Sequence, residues 1–211
     1  MAAKLQIIFW LFLCRIIYIL DMKNNLKLQT GIIIFMIFLA AMSRFLPHAP
    51  NFTPLGAIAL FGAAYFSKKQ LAFLIPLAAW WVSDLILDNV VYAEYYPSFS
   101  WMGYPASYLC LGIIVILGIF FLKKVNTIRV IGAATVAAVL FFLVTNFASM
   151  LADPIYTKDL NGLVKSYIAG IPFFRNTLVG NLVYSALLFG AYEWFVVRRA
   201  NKSEAAALQE L

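Results

Sequence analysis

A handful of polar side chains in an otherwise apolar chain carry whatever chemistry this sequence offers. Arg44, His48, Asn51 and Thr53 stand in or beside the loop PHAPNFTP, and Asp84 follows Trp80 in LAAWWVSDLIL. Asn146 stands in VTNFAS, and Arg175, Asn176 and Asn181 stand in IPFFRNTLVGNL. A guanidinium grips carboxylates or phosphates, amides both donate and accept, and an indole offers a flat apolar face. Such a set is suited to holding a small polar or anionic molecule. It is poorly suited to catalysis, because the single histidine, His48, stands between Pro47 and Pro50, as a hydrogen-bonded loop residue commonly does. No Gly-x-Ser-x-Gly, Walker loop, HExxH or Cys/His cluster occurs, so no catalytic centre, cofactor or metal site is expected. Cys14 and Cys110 lie in separate apolar runs and suggest no disulfide framework.

The elements that must position these groups are membrane helices. With 211 residues, 64% of them hydrophobic, 12% charged and a mean hydropathy of +0.89, the chain has more apolar surface than a soluble core can bury. The net charge of +7 does not indicate nucleic acid, because the basic residues cluster beside apolar runs and form no stripe. Apolar segments run from about Gly31 to Leu46, Pro54 to Phe66, Gln70 to Leu87, Ala106 to Leu122, Thr127 to Leu151 and Pro172 to Val197. The fold class is therefore all-α: a polytopic bundle of six transmembrane helices over residues 22–199, with a short tail at 200–211. Lys23 and Lys27, Lys68 and Lys69, Lys123, Lys124 and Arg129, and Arg198, Arg199 and Lys202 all fall on one side. The positive-inside rule makes that side cytoplasmic and puts both ends of the body inside, in a bacterial inner membrane. Residues 1–21 hold an apolar run broken by Arg15 just before Met22, and read as an N-terminal extension from an upstream start, with an interfacial helix or an extra span as alternatives.

The second helix is short. At about 1.5 Å per residue its roughly fourteen residues reach only about 21 Å against about 30 Å of hydrocarbon. Either the bilayer thins locally, or PHAPNFTP lies below the outer surface and floors an outward-opening cavity. Thr53 and Pro54 look like an N-cap and first helical residue, which would turn the free N–H groups of Thr53 to Gly56 toward that cavity. Trp80, Asp84 and Asp88 share one helical face. A carboxylate at that depth costs about 2.5–3.5 kcal/mol unless paired, and Arg44 or Arg175 is the available cation. Asp84 is thus either a brace or a ligand contact. Thr177, Asn181 and Ser185 form a polar column that would line the pocket or only hold helices together. Leu160, Leu163, Val164, Tyr167 and Ile168 recur at helical spacing, predicting a separate amphipathic helix, a lid or a linker, before the sixth span.

The stretch FTPLGAIALFGAAYFSKKQLAFLIPLAAWWVSDLIL resembles the core of the substrate-capturing S components of energy-coupling factor transporters. The body from Met22 to Arg199, with FFLVTN and IPFFRNTLVGNL, resembles more closely an uncharacterised family of bacterial membrane proteins. The first resemblance implies a six-helix S-component-like bundle that takes a vitamin-like molecule from outside and docks on an energy-coupling membrane protein with ATPases. It also implies a docking face of small residues, carried here by Gly56, Ala59 and Ala63. Small cobalamin members carry a Cys just after the third-helix Asp, whereas Asp84 is followed by LILDN. The expectation is a substrate-binding transport protein, with Arg44, His48, Asn51, Thr53, Trp80, Asp84, Asn146, Arg175, Asn176 and Asn181 around the ligand. The rival is a non-transporting membrane subunit or assembly factor whose polar cluster is structural.

Overall fold

A helix that is apolar on every side belongs at the centre of a bundle, and LGAIALFGAAY is such a helix. The computed structural model describes residues 26–96 and 98–197. The expectations for residues 1–21 and for the tail lie outside that range. Among the described residues the architecture is all-α, with six α-helices and no strand: α1 (26–42), α2 (Leu55–Tyr65), α3 (Lys69–Ile86), α4 (Pro105–Phe121), α5 (Thr127–Ala152) and α6 (Leu160–Tyr192). A 3-10 turn, Ser43–Phe45, ends α1, and π-helical turns extend α3 over Leu87–Val91 and α6 over Glu193–Val197.

Every residue of α2 from Leu55 to Gly62 is buried. The helix packs against α3, α4, α5 and α6, and Ile37 of α1 completes its surround. Close approach is made possible by small residues. A Cβ on Gly62 would meet Pro76 of α3 at 2.9 Å, beside the carbonyl of Ala72 that Pro76 leaves without its helical N–H. A Cβ on Gly118 of α4 would come within 2.6 Å of the Ala63 methyl, and one on Gly56 within 2.6 Å of the Asn181 amide. This corrects the expected docking face: Gly56 and Ala59 are buried and Ala63 abuts α4, so these residues join helices of the chain itself.

Three helical stretches are long and apolar enough to cross a membrane: Leu26–Phe45, Lys69–Val91 and Thr127–Ala152. The helices α2 and α4 are apolar but shorter, α2 with 11 residues reaching about 17 Å. The 33-residue α6 is the longest, and Lys165, Arg175 and Asn181 interrupt its apolar character.

The predicted separate lid does not exist. Residues 160–168 are the first turns of α6, which runs on through Pro172, so the amphipathic pattern and the sixth apolar run are one helix. Its start is set by the turn at 153–159. There the Lys158 ammonium donates to the carbonyls of Met150 (2.6 Å) and Asp153 (2.7 Å), closing the C-terminal end of α5. Asp159 caps α6 by accepting from the Gly162 N–H at 2.8 Å, and Gly162 has no room for a Cβ against the Thr157 carbonyl.

The Gly162 N–H and the Thr157 hydroxyl hold the Asp159 carboxyl below the usual carboxylate range. A depressed folded value means that the cap contributes fully above the ordinary carboxylate pKa and is lost as pH falls through the lowered one. Amide exchange at Gly162, corrected for intrinsic rate, should therefore accelerate only in strong acid; unchanged protection there would count against the cap. In the core, Gly118→Val should cost about 1–3 kcal/mol by overpacking, whereas Gly112→Ala, whose Cβ meets open space, should be neutral or slightly stabilising. Equal melting temperatures for the two variants would contradict the packing described.

Candidate functional site

Arg44 ends α1 in a 3-10 turn, which delivers its guanidinium to the last buried turns of α3. On α3, Trp80, Ser83 and Asp84 stand at i, i+3 and i+4 and so share a face. Arg44 Nη1 donates to Asp84 Oδ1 at 2.6 Å and to Ser83 Oγ, while the guanidinium carbon lies 3.7 Å from the centre of the Trp80 ring. Tyr108 of α4 donates its hydroxyl to the second carboxylate oxygen, Oδ2, at 2.6 Å. Gly103 lies so close to Asp84 that a Cβ there would strike the carboxylate. Both Asp84 oxygens are thus satisfied within the protein. Of the two cations open to Asp84 from the sequence, Arg44 is the partner.

The chain between α3 and α4 is tied over this group. The Asn89 amide donates to the Ser100 carbonyl and its Oδ1 accepts the Ser100 N–H, both at 2.8 Å. Trp81 Nε1 donates to the Trp101 carbonyl at 2.9 Å, and Ser100 Oγ donates to Asp88 Oδ2 at 3.2 Å. These bonds bring Tyr104 across to α5, where its hydroxyl donates to the Thr145 carbonyl at 3.2 Å. Burial, followed by the charge of Asp88, raises the hydroxyl pKa of Tyr96 in this segment and keeps it neutral.

Beside Arg44 opens a cavity of about 410 Å³. Arg44, Asn51, Thr53, Trp80 and Asn146, all singled out in the sequence, line it together. Sequence reasoning left Ser107 and the Phe141, Phe142, Phe173 and Phe174 walls out of the site, and Tyr104, an aromatic residue of the loop between α3 and α4, also lines it. One signal for the α4 contribution was present: Tyr104, Ser107 and Tyr108 are a polar group at i, i+3, i+4 opening an apolar helix. Thr145 and Ser149, which flank Asn146 in VTNFAS, also lie on the lining, with Asp153 and Tyr156. The remaining N–H groups of Arg44 have no partner among the described residues, so the cavity keeps donors of a cation whose charge Asp84 already balances.

The other predicted residues take different places. His48 is exposed, its Nδ1 2.6 Å from the Leu46 carbonyl, and lines a separate space of about 530 Å³ that Arg44 and Asn51 also border. Asn176 donates to the Pro50 carbonyl at 2.9 Å and fastens the loop to α6. Asn181 is buried behind the cavity, its amide 3.5 Å from the Ala134 carbonyl. Arg175 is exposed and outside the lining, because Gly170, Phe173, Phe174 and Thr177 define the cavity face of α6 and residue 175 lies off it.

Thr53 does not cap α2. The helix begins at Leu55 with no side-chain cap, and the Thr53 N–H donates to the Asn51 carbonyl at 3.0 Å. Asn51 takes a left-handed conformation (φ 62°) to make this turn, as asparagine tolerates. The Thr53 backbone then rests on Gly180, within 3.2 Å of where a Cβ would lie, so the start of α2 abuts α6, and of residues 53–56 Thr53 lines the cavity while the other three are not on its lining. No group of His, Cys, Asp and Glu able to hold a metal occurs among the described residues, and Cys110 is buried and unpaired.

Residues 24–206 match the family of unknown function DUF6580. The chain belongs to that family. No curated protein and no solved structure matches it. For this DUF6580 member the site therefore rests on its own geometry.

Asp84 and Arg44 are little exposed, with side-chain accessibilities of 6% and 13%. Arg44→Ala, which leaves a buried carboxylate with only Tyr108, should cost about 3–5 kcal/mol, and the double variant Arg44→Met/Asp84→Leu should cost less than that single change. Melting in detergent measures both. A double variant at least as unstable as Arg44→Ala would show that the pair is not what links α1 to α3.

Proposed function

We propose that this DUF6580 member is a six-span protein of a bacterial inner membrane that captures a small polar molecule from the outer side, as the binding part of a transport system. The observation that carries the reading is the cavity at the Arg44 end: about 410 Å³, open on one side, and built from the loop 46–54 and from α3, α4, α5 and α6. That volume suits a small molecule, and a few convergent polar groups among aromatic walls are the usual composition of a ligand site. Since Asp84 balances Arg44, Asp153 adds a carboxylate to the lining, and Asn51, Thr53, Ser107, Thr145 and Asn146 offer neutral hydrogen bonds, the preferred ligand is neutral or zwitterionic with a flat apolar part. The aromatic walls are Phe141, Phe142, Phe173 and Phe174. Trp80 contributes less than its size promises, because Arg44 covers one face of its ring and the residue is only 4% exposed. Likeness to S components of energy-coupling factor transporters supports the same reading, with energy supplied by a coupling membrane protein and ATPases. Small residues on α2 lend it no docking face.

The rival, a subunit whose polar cluster only braces helices, draws support from the full satisfaction of Asp84. It does not account for the unfilled space beside it.

Cysteine labelling tests the reading on intact cells. With an impermeant maleimide, Ser149→Cys and Thr145→Cys should react from outside and Lys124→Cys, in the exposed turn before α5, should not. Labelling of Lys124→Cys alone would reverse the orientation, and no labelling of any of the three would remove the outward-open cavity.

A further inference from the structure

A second cavity, of about 440 Å³, lies at the opposite end of the bundle, between the first turn of α5 and the last turns of α6. Its walls are hydrocarbon: Val130 and Ile131 from α5, and Leu182, Ala186 and Phe189 from α6. The end near residue 126 is polar and bears both signs of charge. Asn126 accepts the Arg129 N–H at 2.9 Å, which leaves the N–H groups of Thr127 and Ile128 without acceptors in the helix, at the positive end of a 26-residue dipole. Lys123, Lys124 and Arg129 are near in the chain but none of them lines the cavity. Across the cavity stands the Glu193 carboxylate, whose Oε1 is engaged by the Tyr65 hydroxyl at 2.6 Å and whose other oxygen has no partner among the described residues.

A third feature is independent of the helix terminus. Ser185 lines the same cavity, is 1% exposed, and its hydroxyl is buried with no hydrogen-bond partner. Asn181 sits beside Ala134, so in the antiparallel pair Ser185, one turn on, is level with about residue 130. That is roughly 6 Å into α5 from Asn126. An unmet buried hydroxyl is costly and calls for an acceptor at that depth.

We infer that this cavity seats one glycerophospholipid whose headgroup carries a primary ammonium. Its phosphate meets the α5 N-terminus, as anions do at helix N-termini. The ammonium pairs with the free oxygen of Glu193. An ester carbonyl, a few bonds below the phosphate, accepts from Ser185, and one acyl chain fills the apolar length of the groove. A phosphatidylglycerol would bring its negative charge to Glu193 uncompensated, and a phosphatidylcholine has no ammonium N–H to donate. The inference rests on the chain lying in a bilayer, but not on any ligand in the outer cavity; maleimide labelling as expected together with failure below would sink this inference alone.

The test is native mass spectrometry of the full chain, released from detergent after equilibration with equal amounts of phosphatidylethanolamine, phosphatidylglycerol and phosphatidylcholine of identical acyl chains. Wild type should retain the ethanolamine lipid about tenfold over either other, the preference expected of one charge-assisted hydrogen bond. Gly190 lines the groove, and a Cβ there meets no atom within 4 Å, so Gly190→Leu fills the groove without displacing the fold and should abolish retention. Glu193→Gln should keep lipid binding but lose the preference. Equal retention of the three lipids by wild type, retention unchanged in Gly190→Leu, or a groove occupied by detergent alone would each overturn the inference.

Discussion

The ion pair between Arg44 and Asp84 is the constraint from which the cavity end of this molecule follows. A buried carboxylate on α3 must be answered, and Arg44 answers it from the end of α1 while lying over Trp80. Tyr108 meets the other oxygen from α4, so one side chain ties three helices at a single depth. The segment between α3 and α4 folds down because Gly103 alone can lie against that carboxylate, and this places Tyr104 at the edge of the cavity. With its charge balanced, Arg44 lines the cavity as a donor and not as a bare cation.

Away from that pair, α2 organises the bundle by a different physics. It is short and apolar all round, and its glycines and alanines let four neighbouring helices pack close to it. Short length at the centre leaves the neighbours longer than the axis they surround. The cavity and the second, apolar groove lie toward opposite ends of the α5–α6 pair.

Much of this was legible in the sequence because it follows from spacing and cost. The all-α class and most helix positions come from apolar runs, and the need for a partner at Asp84 comes from the expense of a buried charge. The choice between Arg44 and Arg175 was not legible, since it depends on which face of α6 turns inward. Pro172 hid that register: read as a helix start, it split α6 and concealed that Gly170, Phe173, Phe174 and Thr177 share a face. Small residues on α2 misled for a related reason. A stripe of Gly and Ala marks close approach, but sequence does not say whether the approaching helix belongs to the same chain. Asn181 was read as a ligand contact, yet its contacts with Gly56 and Ala134 make it part of the helix packing.

The central claim is that the space beside Arg44 holds a molecule and is not a packing defect next to a brace. Mass spectrometry of the small molecules released on denaturing the purified protein addresses it most directly, with Ala169→Trp as the comparison. Ala169 lines the cavity, is exposed and makes none of the bonds among Arg44, Asp84 and Tyr108, so an indole there takes up cavity space without removing that group. The account predicts a non-lipid compound released in near-stoichiometric amount by the wild type and absent from an equally stable Ala169→Trp variant. The same released compounds from both proteins, or none from either, would contradict it.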